Sequence, residues 1–136
     1  MLNGGSAEGH HPYLAPSADW GFLPFANWSV ESDLVIARGA GNDSLACTSL
    51  TNASQLNGNI AVIYRGICEF GAKALAAQNA GATGVVIVNN EVGDTIFDMG
   101  AGVNGGAVSI PVVMVSANVG AAIHNSVYNG QARAVM

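Results

Sequence analysis

The sequence predicts one α+β, strand-rich domain organised around a strand–helix–strand unit. Three observations lead there. The chain has 136 residues, half of them apolar and a tenth charged, which is enough for one core but not two. Two β-branched runs, "NIAVIYR" (Asn59–Arg65) and "GVVIVNN" (Gly84–Asn90), bracket the helix-forming "EFGAKALAAQNA" (Glu69–Ala80). Strand, helix and strand within about 30 residues make a βαβ unit, expected to be right-handed. Finally, eighteen glycines imply many tight turns and close backbone approaches.

Residues 1–18 are rich in Gly, Ser, His and Pro and read as an extended or frayed, flexible lead-in, leaving 19–136 as the domain. The lead-in has neither a basic n-region nor an apolar h-region, so it does not read as a signal peptide. Trp20, Phe22, Phe25 and Trp28, interrupted by Pro24, read as a non-helical segment that caps a core. Asp33–Arg38 reads as a short strand and Gly39–Ser44 as a loop.

Asn59–Arg65 follows the turn pair Asn57-Gly58 and reads as a buried strand. In the Glu69–Ala80 helix, Phe70, Ala74, Ala77 and Gly81 share one face. Gly81 suits a left-handed helix stop. Lys73 reads as a solvated helix residue with its stem packed down. Gly84–Asn90 is a second buried strand. Glu91–Ser109 is polar and glycine-rich, long for a connection, and such loops are often functional or mobile. Ile110–Ser116 is a third buried strand, with Pro111 tolerated near its start. Ser116 N-caps a helix over Ala117–Tyr128, whose apolar face carries Val119, Ile123 and Val127. "QARAVM" closes the chain as a last strand. No internal repeat is present.

Charge narrows the functions. The net charge is −5, and the only cations are Arg38, Arg65, Lys73 and Arg133. Nucleic acid requires several clustered cations to neutralise phosphates, so it is excluded as a partner, and an anionic membrane surface is disfavoured likewise. No apolar run reaches the roughly 18–20 residues that span a bilayer, so membrane insertion is not expected.

The motif search yields no catalytic constellation. "GAGVNG" (Gly100–Gly105) matches G-x-G-x-x-G, but it precedes a strand where a dinucleotide site needs a helix N-terminus. A flexible loop is the better reading. His10, His11 and His124 form no H-E-x-x-H, so no metal or cofactor is expected. No serine sits in a G-x-S-x-G elbow. Asp43, Asp94 and Asp98 read as solvated loop residues, with a weak calcium contact as the alternative. "NWS", "NDS" and "NAS", at Asn27, Asn42 and Asn52, match the glycosylation triplet and fit exposed loops.

Two cysteines occur, Cys47 and Cys68. A disulfide would suit a secreted domain and, closing a loop of about twenty residues, would stabilise it by roughly 3 kcal/mol. Two buried thiols and a reactive thiol are the other readings. Arg65, at a strand end, is placed either to bind a carboxylate or carbonyls of a partner or to pair internally with Glu69 or a loop carbonyl.

Together these residues resemble the protease-associated (PA) domain. The resemblance rests on R-G-x-C-x-F (Arg65, Gly66, Cys68, Phe70) with Lys73 after it, on A-x-x-A-G-A-x-G (Ala77, Ala80, Gly81, Ala82, Gly84), on Asn89-Asn90 and on Ile110-Pro111. Cys47 resembles the upstream cysteine of versions attached to secreted fungalysin-like metalloproteases and subtilisin-like proteases. Tyr64 departs from the pattern, in which an acid commonly precedes Arg-Gly. The resemblance implies a β-sandwich or partly open β-barrel flanked by two helices. It also implies a non-catalytic role: protein or peptide binding, or control of substrate access, in a secreted or cell-surface peptidase. The expected contact surface comprises Arg65, Gly66, Ile67, Glu69, Asn89, Asn90, Asp94 and Asp98, with strand addition at a sheet edge as a further mode. Its partner would be a polypeptide substrate or a neighbouring catalytic domain. A cargo-binding receptor ectodomain, a structural spacer and a small thiol enzyme using Cys68 are the competing readings.

Overall fold

A computed structural model of the protein describes residues 2–3, 11–16, 20–21, 30–128 and 133–136. The expectations for Phe22, Pro24, Phe25, Asn27, Trp28 and His10 lie outside these residues. Six strands, β1 (Leu2–Asn3), β2 (Glu31–Ile36), β3 (Ile60–Tyr64), β4 (Gly84–Val88), β5 (Val112–Val115) and β6 (Arg133–Val135), form one sheet in the order β1-β6-β2-β3-β4-β5. β2 to β5 run parallel, and β6 lies antiparallel to both β2 and β1. The sheet curls into a half-barrel, so the α+β, partly open barrel holds. Three helices accompany it: α1 (Ala53–Leu56), α2 (Phe70–Asn79) and α3 (Ala117–Tyr128).

Each strand residue points to the face opposite its neighbour's. Ala61, Ile63, Val85, Ile87, Val112 and Met114 face one side and pack with Ala74 and Ala77 of α2, Leu56 of α1, and Trp20, Met99 and Val108. Leu34, Ile36, Ile60, Val62, Val86, Val88, Val113 and Val115 face the other and pack with Ile123 of α3. A parallel sheet covered on both faces needs continuous apolar strands, which is why these runs do not alternate with polar residues. As expected, Val119 and Val127 join Ile123 on the packed face of α3.

Small residues let the helices lie close. A side chain at Gly120 of α3 would collide with Val88, and one at Gly71 of α2 with the Ala101 carbonyl. The helix ends follow local rules. The Ser116 hydroxyl accepts the Val119 amide at 3.1 Å, as an N-cap does. At the end of α2, Gly81 has φ +92°, and the Gly81 and Ala82 amides donate to Gln78 and Ala77 at 2.9 and 3.0 Å. That pair of bonds is a Schellman stop.

The lead-in expected to fray docks where it is described. Leu2–Asn3 pairs with β6. At the opposite edge the Leu14 amide and carbonyl exchange hydrogen bonds with Met114 at 3.0 and 2.9 Å. The β5 edge, a natural place for strand addition, thus already carries a segment of the chain itself.

Candidate functional site

The C-terminal ends of β3 and β4 bring together two loops, 65–69 after β3 and 91–109 after β4. The first is pinned two ways. Cys47 and Cys68 form a disulfide with Cα atoms 5.8 Å apart, which removes the free-thiol readings and the thiol-enzyme alternative. The Lys73 ammonium donates to the carbonyls of Leu45 and Gly66, each at 2.7 Å, and lies 3.4 Å from Cys47 Sγ. Lys73 is fully buried, so its expected solvated position is corrected. The half-buried carbonyls of Leu45 and Gly66 find their donor in this ammonium. Burial pushes the Lys73 amine down to about 8, with the nearby Asp43 charge opposing. The sequence held a signal for this: Lys73 is three residues after Phe70 and four before Ala77, on the inward face.

The tip of this loop is strained. The Cys68 amide donates back to the Gly66 carbonyl at 2.8 Å, a three-residue turn. Gly66 has φ +142° and Ile67, at the apex, φ +68°. Positive φ on a β-branched residue is a conformational outlier. The structure holds it with the Ile67 side chain 91% exposed.

Arg65 is held from several sides. Its Nη1 donates to Asn89 Oδ1 at 2.9 Å and lies 3.8 Å from the Glu91 carboxylate. Its guanidinium stands 4.8 Å over the Phe97 ring, and Phe97 meets Phe70 at 5.8 Å. The internal reading of Arg65 therefore describes much of its side chain, with Asn89 and Glu91 as partners. A third of the side chain stays exposed.

The other expected contact residues separate by burial. Asn89 is buried, and its amide also donates to the Thr95 carbonyl at 3.0 Å. Asn90 is exposed, with its amide 3.4 Å from the Arg65 carbonyl. Glu69 and Asp98 are exposed. Asp94 is exposed and accepts from the Asn118 amide at 2.8 Å, tying its loop to the first turn of α3.

The 91–109 loop is seated along its length. Trp20 Nε1 donates to the Met99 carbonyl at 3.1 Å. Gln78 donates to the Ala107 carbonyl and accepts the Ser109 amide, at 3.0 and 2.6 Å. Met99, Ala101 and Val108 are buried. "GAGVNG", expected to be flexible, is bound against α2 because Gly71 leaves room for its backbone. Two aliphatic side chains escape this packing: Val92, 98% exposed, and Val103, 88% exposed. With Ile67 they are the most exposed large apolar side chains among the described residues, and all three stand on these two loops. Sequence reasoning missed both valines, since a lone apolar residue in a polar loop carries no signal.

Beside this edge, on the α3 side of the sheet, a cleft of about 640 Å³ opens between the ends of β3 and β4 and α3. Among the described residues, no group of three His, Cys, Asp or Glu is placed to hold a metal ion.

Comparison with known proteins adds a family and relatives. A family model described as the PA domain matches residues 30–123. The human ER degradation-enhancing alpha-mannosidase-like protein 3 is 33% identical over 90 residues, 62% of this chain and 10% of that protein. Signal peptide peptidase-like 5 of Arabidopsis thaliana is 30% identical over 124 residues, 90% of this chain and 22% of that protein. Among solved structures, a zinc aminopeptidase from Bacillus subtilis superposes with a TM-score of 0.68 at 26% identity, over 98% of this chain and 29% of that one. The chain thus spans less than a third of each of these proteins.

Proposed function

Since the chain belongs to the PA-domain family, an accessory domain of larger peptidases, we propose that it serves a secreted or lumenal peptidase by holding polypeptide at the edge formed by its two loops. One observation carries this reading. The fold spends backbone strain to expose Ile67, then fixes that turn with a disulfide and a buried ammonium. Strain of this kind persists where the surroundings over-determine it, and it clusters at binding and switch sites. Ile67, Val92 and Val103 supply apolar contact. The exposed part of Arg65, the Asn90 amide and the carboxylates of Glu69 and Asp98 supply polar contact around it. The disulfide fits an oxidising compartment.

The occupant is a substrate polypeptide. The catalytic domain of the same peptidase is the second reading, supported by the fact that the chain matches only 29% of the Bacillus subtilis aminopeptidase. Titrating the 15N-labelled chain with unfolded casein tests the first. Saturable shifts at Ile67, Asn90, Val92 and Val103 support it; no shift in either loop overturns it.

A further inference from the structure

Arg38 differs from the chain's two other arginines. Arg65 and Arg133 each lie near a carboxylate, Glu91 at 3.8 Å and Asp33 at 2.9 Å. Arg38 is instead bonded to neutral oxygens: Ser44 Oγ at 2.8 Å, the Asn42 carbonyl at 3.4 Å and the Tyr128 hydroxyl at 3.4 Å. In a chain of net charge −5, a guanidinium without a carboxylate partner among the described residues is an opening for an anion.

Two hollows adjoin Arg38 and its partners. On one side of the Arg38–Tyr128 contact lies the 640 Å³ cleft, lined by Ser44, Tyr64, Asn90, Ala121, His124 and Asn125 among others. On the other side lies a hollow of about 310 Å³ that includes Arg38 and Tyr128 themselves. Among the described residues, neither is lined by an Asp or Glu. The polar lining is hydroxyl, carboxamide, imidazole and guanidinium, which can donate to an anion. Ala117 and Ala121, one turn apart on α3, keep the helix side of the larger cleft low, and the His124 and Tyr128 rings meet at 4.5 Å, tilted by 47°, farther along. Ala117 to Tyr128 spans about 17 Å at 1.5 Å per residue, the length of about five extended residues.

We propose that the two hollows act as one groove that binds an extended acidic segment of another polypeptide, with an Asp or Glu side chain seated against Arg38. A side chain is favoured over a chain terminus because hollows lie on both sides of Arg38, so the bound chain passes across it. Tyr64 helps to shape the larger cleft, at the position where the sequence departs from the family pattern. The groove lies on the α3 side of the sheet and stands independently of the loop edge.

The 15N-labelled chain is titrated with three pentapeptides: alanine with a central aspartate and both ends blocked, the same with asparagine, and pentaalanine with a free C-terminal carboxylate. The aspartate peptide is expected to give saturable shifts at Ser44, Tyr64, Ala121 and Asn125, and the asparagine peptide to bind about tenfold more weakly. Arg38→Gln reproduces that tenfold loss. Ala121→Leu, at an exposed helix position that suits leucine, fills the groove and abolishes binding with no fall in Tm. Equal binding of the aspartate and asparagine peptides overturns the proposal, as does tighter binding of the free-carboxylate peptide. Shifts confined to residues 65–70 and 91–109 overturn it while supporting the loop edge; casein shifts lost at those loops, with peptide shifts kept at the groove, do the reverse. No shift at about 5 mM peptide overturns it too, since a single seated ion pair is expected to hold in the millimolar range.

Discussion

Lys73 Nζ donates to the Gly66 carbonyl at 2.7 Å, beside the Cys47–Cys68 bond that closes the same turn. A helix residue and a disulfide together hold one strained turn.

The Lys73 amine titrates near 8 in the folded protein against an ordinary 10.5, because burial disfavours its charge. Between about pH 8 and 10.5 the unfolded chain therefore binds more protons than the folded one, and stability rises with pH across that window. Compared with Lys73→Met, whose profile lacks this contribution, the wild type gains about 1 to 3 kcal/mol. Urea unfolding of both proteins from pH 7 to 10.5 measures the difference. A difference that falls with pH contradicts the assignment.

Removing the disulfide releases a loop whose ends are 21 residues apart. The Cys47→Ala, Cys68→Ala double variant is expected to lose about 3 kcal/mol. Hydrogen exchange at Ile67 and Cys68 should also quicken more than at Val86, since the bond fixes the turn directly. Uniform acceleration across the sheet would mean that the bond acts only on global stability.

Ile67→Asn separates binding from folding. Asparagine tolerates positive φ far better than a β-branched residue, for which a left-handed backbone costs about 1 to 2 kcal/mol. The variant is expected to unfold at equal or higher temperature while casein binding weakens. A lower Tm with unchanged binding would remove both the strain argument and the contact.

Gly71→Ala tests the seating of the long loop. Alanine is the better helix former by about 1 kcal/mol, yet here its methyl meets the Ala101 carbonyl and the Gly105 amide. Net destabilisation of about 1 to 3 kcal/mol is expected, with shift changes centred on 99–107. A stabilised variant would show that the loop yields at no cost.

Arg65→Lys should keep the charge near Glu91 while giving up the guanidinium's planar stack on Phe97. Phe97 and Thr95 resonances are expected to move, with a change in Tm smaller than for Arg65→Ala. Equal effects of the two variants would assign the contribution to charge or stem packing and not to the stack.

Much of the fold follows from local chemistry. The β-branched runs, the Ser116 cap, the Gly81 stop and the inward faces of α2 and α3 depend on neighbours within a turn or two, and each appears where its residues indicate. The strand order does not. Nothing in "QARAVM" says that it lies beside β2, and nothing in the lead-in says that Leu14 pairs with Met114, because those bonds join residues a hundred positions apart.

The site divides in the same way. Arg65, Gly66 and Cys68 stand out as residue types, and the internal environment of Arg65 is half visible in its place at a strand end. The burial of Lys73, the exposure of Val92 and Val103, and the bonding of Arg38 to Tyr128 were decided when distant segments met. Whether a cation is paired, or an apolar side chain covered, depends on which surfaces meet across the sheet, and the spacing of residues along the chain does not encode that.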